Sequence, residues 1–203
     1  MTIDVGTGDG RAVLARAAAE PSALAIGIDA SAAGMAESSR RAHRRGPHNA
    51  RFFAEAAEVL PGPLAGTGSL VTVSFPWGSL LQGVLGRRPA VLCGIAGLVA
   101  PGGALEILVS VMERDRIPGV ATLDGDEQDR LTGAWVAAGL ELLSLRPASS
   151  TEIAASRSSW ARRLGDRPVW RLALRRPLTA LAPDGLPDAR PPQLNRDFRS
   201  RNE

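Results

Sequence analysis

Apolar residues in this chain come as short runs set between amphipathic stretches. The runs at 2–5, 24–29, 50–54, 70–74, 105–111, 142–146 and 169–174 have the length and β-branched content of buried strands. The segments 10–19, 31–44, 89–99 and 127–138 repeat their apolar positions at helical spacing. This alternation predicts an α/β fold, a mostly parallel, doubly wound sheet of seven strands with helices on both faces, over residues 1–176. Pro101-Gly102-Gly103 predicts a turn ahead of a strand, and Gly139 is placed to end the helix before it. Residues 177–203 are rich in proline and charge without periodicity, which predicts a disordered tail.

The 203 residues suffice for one such domain. No apolar run reaches the roughly 18 residues of a membrane span and no secretory leader is evident, so a cytoplasmic protein is expected. The single cysteine, Cys93, sits in an apolar helical pattern and is expected in the core, which leaves no zinc or disulfide chemistry. A metal-free monomer is expected.

All 24 basic residues are arginine. Between Arg157 and Arg176 there are seven arginines against one acid, Asp166. A second group, Arg40, Arg41, Arg44, Arg45 and Arg51, interleaves with His43 and His48. One-sided blocks of this kind fit a phosphate-binding surface, although a solvated helix face accounts for either block equally well.

Asp4-Val5-Gly6-Thr7-Gly8-Asp9-Gly10-Arg11 follows the first strand and opens a helix, the setting in which glycines let backbone approach a ligand closely. Arg11 stands where a dinucleotide fingerprint needs glycine, and the Gly-Lys-Ser/Thr of a P-loop is absent. Asp4 and Asp9 would repel a pyrophosphate but suit a cation such as S-adenosylmethionine. Asp29, at the end of the second strand and about 20 residues past the loop, is placed to accept from ribose hydroxyls. The small residues of Glu55-Ala56-Ala57-Glu58 after the third strand leave room for an adenine ring. Loop, acid and third turn occur in the order of a class I methyltransferase, a Rossmann-like fold.

The loop after the fourth strand reads Phe75-Pro76-Trp77-Gly78. Enzymes that methylate exocyclic amines typically place Asp or Asn at its first position, and Phe75 offers no such acceptor. A ring nitrogen already carries an in-plane lone pair and needs positioning rather than a base. Extruded bases are held by stacking on aromatic faces. Of the four tryptophans, Trp135 and Trp170 fall inside a helix and a strand and are expected to pack. Trp77 and Trp160 fall in loops on the carboxyl side of the sheet.

With these residues the chain resembles the aminoglycoside-resistance 16S ribosomal RNA methyltransferases that modify N1 of adenine 1408. DVGTGDGR (4–11), AAE-LP (56–61), FPWGSLL (75–81) and SxWARRL (158–164) carry the resemblance, which runs from Asp4 to about Arg175. It implies S-adenosylmethionine as cofactor, held by Asp4, Gly6, Thr7, Gly8, Asp29, Ala30, Ala56, Ala57, Glu58 and Ser79. It implies Trp77 and Trp160 as the jaws around a flipped adenine, with Ser158 and Ser79 near the base and methyl donor. Arg162, Arg163 and Arg167 would contact phosphates of 16S rRNA in the 30S subunit. The family carries a hairpin-bearing segment ahead of the glycine loop and often a longer basic stretch than 164–167, and both bear on ribosome affinity. A small-metabolite methyltransferase and a non-catalytic rRNA-binding relative are the competing expectations.

Overall fold

A computed structural model describes residues 1–120 and 122–178. The expected tail therefore lies, apart from its first two residues, outside the described residues. In chain order the elements are β1 (Thr2–Val5), α1 (Arg11–Ala19), β2 (Ala25–Asp29), α2 (Ala32–Arg45), β3 (Ala50–Ala54), β4 (Gly68–Ser74), α3 (Gly78–Val84), α4 (Pro89–Leu98), β5 (Val99–Val109), α5 (Gly125–Ala137), β6 (Glu141–Pro147), α6 (Ser150–Ala155) and β7 (Trp170–Arg175).

The strands form one seven-stranded sheet in the order β3-β2-β1-β4-β5-β7-β6. Strands β1 to β5 pair in parallel, and β7 runs antiparallel between β5 and β6. The order reverses between β1 and β4, the point at which ligands bind outside the carboxyl ends of an open α/β sheet. Both suspected site loops, 6–10 and 75–78, leave the sheet there.

Alternation along the strands sorts the two faces. Ile3, Val5, Val71, Val73, Leu105, Ile107, Leu172 and Leu174 are buried together with residues of α3, α4 and α5. Trp135 of α5 lies fully inside this core and donates its indole N–H to the Val84 carbonyl (3.1 Å), so its one polar atom is satisfied. On the other face α1 and α2 pack Val13, Leu14, Ala17 and Ala42 over Ala25 and Ala50. Trp170 is half-buried against the main core. Glycine conformations serve as the sequence anticipates at Gly139, which follows α5 at φ 83°.

Two expectations change. Pro101-Gly102-Gly103 is a kink within β5 rather than a turn before it. Gly102 takes φ 75°, the pairing with β4 slips between Gly68 and Leu70, and Arg176 satisfies the kinked backbone by exchanging hydrogen bonds with Gly102 and Gly103. Cys93 is exposed rather than core, because α4 turns Val91, Leu92, Ile95 and Ala96 inward and leaves position 93 on its outer side. No helix among the described residues is long and apolar enough to cross a membrane, and no cluster of His, Cys, Asp and Glu there is arranged to hold a metal.

Candidate active site

The glycine loop is held open by backbone and carboxylate. The N–H groups of Gly6 and Thr7 donate to the Ile28 carbonyl (2.8 and 3.2 Å), tying the loop to the neighbouring strand. Asp29 accepts from Gly8 N–H through Oδ2 and from Ser31 N–H through Oδ1, both at 2.8 Å. Each oxygen retains a lone pair for a ribose hydroxyl. Ser31 in turn caps α2 by accepting from Gly34 N–H (3.1 Å). Gly6 sits at φ 74°, and a Cβ there would come 2.4 Å from Leu80 Cδ2 of α3. The glycine loop thus meets α3 at a position where both the positive φ and the close contact favour glycine.

These elements enclose a cavity of about 300 Å³ lined by residues 5–8, 28–30, 55–58, 74–77, 79–80 and 158–160. Among the described residues, the charged ones lining it are Asp29, Glu55 and Glu58. Such a lining repels phosphate and favours a sulfonium cation. Thr7 lines the cavity too, but its Oγ1 is fully buried and faces the Asp4 carboxyl, whose pKa it helps to lower, rather than the open space. Glu58 is held by Arg88 at the start of α4 (2.8 Å). Donor set, charge and glycine backbone all fit S-adenosylmethionine.

Twelve of the suspected residues come together here: Gly6, Thr7, Gly8, Asp29, Ala30, Ala56, Ala57, Glu58, Trp77, Ser79, Ser158 and Trp160. Asp4 does not. Strand alternation turns it to the opposite face from Ile3 and Val5, where it accepts from Thr72 Oγ1 (2.6 Å) beside a separate cavity of about 190 Å³. Burial raises its carboxyl above the ordinary range, against the lowering effect of the Thr72 hydrogen bond. Asp4 supports the loop from beneath.

At the rim Trp77 and Trp160 are 44% and 38% exposed, large apolar surfaces left in solvent. Trp77 precedes α3, and Trp160 sits in a 3₁₀ turn, Ser159–Arg163, whose start is capped by Ser158 Oγ accepting from Trp160 N–H (3.3 Å). Their ring centroids are 5.2 Å apart with planes tilted by 38°. A base between them needs about 7 Å, two aromatic contacts of roughly 3.5 Å. The pair at this spacing leaves no room for a base between the rings. Phe75 itself holds φ 54°, an uncommon conformation for a side-chain-bearing residue, and is locked there by burial against Leu108, Leu164 and Val169.

The three arginines expected at phosphates have different surroundings. Arg162 is exposed, and Arg163 lies over the Trp160 ring, its guanidinium carbon 5.5 Å from the centroid. Arg167 is instead largely buried: it pairs bidentately with Asp115 and donates through Nε to Ser110 Oγ (3.1 Å). Desolvation pulls the Asp115 carboxyl upward, but Arg167 and the Met112 N–H outweigh it and hold the carboxyl below its ordinary value. Arg167 thereby ties the Trp160 segment to the end of β5. Arg114, with Arg163, borders a second cavity of about 80 Å³ on the outer side of the tryptophan pair. Sequence reasoning missed Ser110, Arg114 and Asp115, since Glu113-Arg114-Asp115-Arg116 has the pattern of a solvated turn.

The profile of the NpmA family, 16S rRNA (adenine(1408)-N(1))-methyltransferases, matches residues 1–172. The chain belongs to the 16S rRNA (adenine(1408)-N(1))-methyltransferase family. It is 35% identical over 173 residues to the 16S rRNA (adenine(1408)-N(1))-methyltransferase of Streptoalloteichus tenebrarius, covering 81% of this chain and 80% of that one. The Catenulisporales acidiphilia 16S rRNA (adenine(1408)-N(1))-methyltransferase, crystallised as a tryptophan-to-alanine mutant with cosubstrate SAM, superposes with TM-score 0.76 at 31% identity over 87% of this chain and 85% of that one. The aminoglycoside resistance methyltransferase NpmB1 superposes with TM-score 0.69 at 36% identity over 86% of each chain. In this member of the methyltransferase family, one tryptophan of the rim follows β4 and the other lies in the β6–β7 linker.

Proposed function

We propose that this protein is the enzyme that methylates N1 of adenine 1408 in the 16S rRNA of the 30S subunit, using S-adenosylmethionine and conferring aminoglycoside resistance. The observation that carries the reading is the pair of exposed tryptophans at the mouth of a cavity whose charged residues are all acidic. When bound, S-adenosylmethionine supplies an electrophilic methyl carbon to the N1 lone pair.

The chain's own residues bind and orient. Asp29 and the backbone of Gly6 to Gly8 hold the ribose end, and Ala56, Ala57 and Glu58 flank the adenine of the cofactor. Trp77 and Trp160 close on both faces of the extruded base and exclude water from the reacting edge. Phe75 presents no side-chain acceptor to an exocyclic amine, so the clamp orients rather than activates. The methylated adenine is cationic, and two indole faces stabilise the developing charge. Arg163 and Arg114 border the clamp where the flanking phosphates pass, with Arg167 positioned through Asp115. The same cationic base repels polycationic aminoglycosides. Residues of one chain line the cavity, as a monomeric enzyme requires.

Incubating 30S subunits with the protein and S-adenosylmethionine, then mapping 16S rRNA by primer extension, tests the reading. A new stop at adenine 1408 is expected. Methyl transfer to small molecules with none to 30S subunits would favour the metabolite enzyme instead.

A further inference from the structure

The carboxylates that line the cofactor cavity, Asp29, Glu55 and Glu58, differ in what already holds them. Asp29 accepts from the Gly8 and Ser31 N–H groups, one on each oxygen. Glu58 is paired with Arg88, whose guanidinium lies 2.8 Å from Oε1. Glu55 is exposed, and among the described residues its side chain meets neither a hydrogen-bond donor nor a cation. Of the acids described in the cavity, it alone keeps every acceptor site open to a ligand.

The sheet also fixes where Glu55 stands. Strand β3 pairs in parallel with β2, and Asp29 lies opposite Ala54 in the register. Glu55 follows directly, so its Cα is about 6 Å from that of Asp29, one strand spacing across and one residue along. A nucleoside whose ribose rests on Asp29 and whose base lies over Ala56 and Ala57 turns the edge of that base toward Glu55. The turn after β3 is itself held from the side of α4. Val59 N–H donates to the Ala56 carbonyl (2.9 Å), and a Cβ on Gly94 would come 3.1 Å from the Ala57 oxygen and 3.3 Å from Leu60 Cδ1. Arg88 adds its grip on Glu58 at the start of the same helix. Glu55 lies ahead of these contacts and takes part in none of them.

We propose that Glu55 selects the base of the cofactor, its carboxylate accepting a hydrogen bond from the exocyclic amine of adenine, while Glu58 shapes the turn through Arg88. The inference rests on the S-adenosylmethionine reading of this cavity. An ionised carboxylate only accepts, and the amine is the donor on that edge of adenine. A purine without the amine would strip water from Glu55 and return no hydrogen bond. Ala56 and Ala57 carry no side-chain polar group that could substitute. The selection acts on the base and not on the sulfur, so it holds alike for S-adenosylmethionine and for the thioether product.

Calorimetry on the full chain with two thioethers tests it: S-adenosylhomocysteine, and the analogue whose base is unsubstituted purine and lacks only the exocyclic amine. Wild type is expected to bind the first at least about 10-fold more tightly, the low end for a hydrogen bond to a charged acceptor because Glu55 is open to solvent. Glu55→Ala should bring the two affinities within about 2-fold of each other by weakening the first and sparing the second. Glu55→Gln keeps an acceptor oxygen and should retain part of the gap. Glu58→Gln releases Arg88 and should weaken both thioethers while leaving their ratio as in wild type. A change in the shape or stability of the turn moves both ligands together, so the ratio reports recognition of the amine alone. A gap as wide in Glu55→Ala as in wild type would overturn the proposal and leave the cofactor reading standing. A gap that closes in Glu58→Gln but persists in Glu55→Ala would assign the amine to Glu58 and likewise overturn it. Wild type that binds neither thioether would remove both this proposal and the S-adenosylmethionine reading.

Discussion

At the scale of single residues, the proposed function gives the tryptophan pair and Asp29 separable roles. Stacking of a base on an aromatic ring is worth about 1–3 kcal/mol by alanine substitution. Trp77→Ala and Trp160→Ala should each lower methyl transfer to 30S subunits by about 5- to 150-fold while leaving S-adenosylmethionine affinity unchanged, and phenylalanine at either position should recover part of the loss. Radiolabel transfer beside calorimetry separates the two effects. Asp29→Ala removes acceptors for two backbone N–H groups as well as for the ribose, and hydrogen bonds to charged groups contribute about 1.5–3 kcal/mol each. It should weaken S-adenosylmethionine binding by about 10-fold or more in the same calorimetric assay. The sequence showed where Asp29 stands but not that its oxygens also pin Gly8 and Ser31, because that depends on how β1 and β2 lie side by side. Asp4 lies off the cavity lining for a related reason: its place before the glycine loop is legible, but the face it occupies depends on strand alternation within the assembled sheet.

Among elements, the segment bearing Trp160 depends on the Asp115–Arg167 pair, which ties it to the end of β5. The Asp115 carboxyl titrates below its ordinary value near 3.8 in the folded state. Its contribution to stability is therefore complete above that value and is lost as pH falls through the lower folded one. Melting temperature measured from about pH 5 downward should drop along an acid limb, and Asp115→Asn should flatten that limb. Phenylalanine or leucine at Trp135 would keep part of the main core, but Trp135→Ala should cost about 3–5 kcal/mol by chemical denaturation, since the ring is wholly buried and its N–H is satisfied. Elements with strong periodicity, such as α2 and α5, were legible to within a residue or two. The short helices α3 and α6 were not, because seven and six residues give too few turns for a repeat to register. The β5 kink escaped notice because Pro-Gly-Gly ordinarily ends a strand, and only pairing with β4 and Arg176 carries it through.

Over the whole molecule, the sheet order brings one glycine loop and two tryptophan segments to a single edge, although the first and last of them lie near opposite ends of the described chain. The motifs were visible one by one, but their meeting across a 300 Å³ cavity, and the stacking of the tryptophans on each other, are products of the fold. The basic surface around that edge predicts salt-dependent binding to 30S subunits, measured by filter binding or sedimentation, with affinity falling steeply as salt rises. The central claim is methyl transfer to one ring nitrogen, and N1 methylation blocks Watson–Crick pairing. Primer extension on 16S rRNA from 30S subunits treated with this protein and S-adenosylmethionine tests it most directly. A strong stop at adenine 1408, absent with Trp77→Ala protein, is the predicted result. Full read-through past that position with protein shown to bind S-adenosylmethionine would contradict the account.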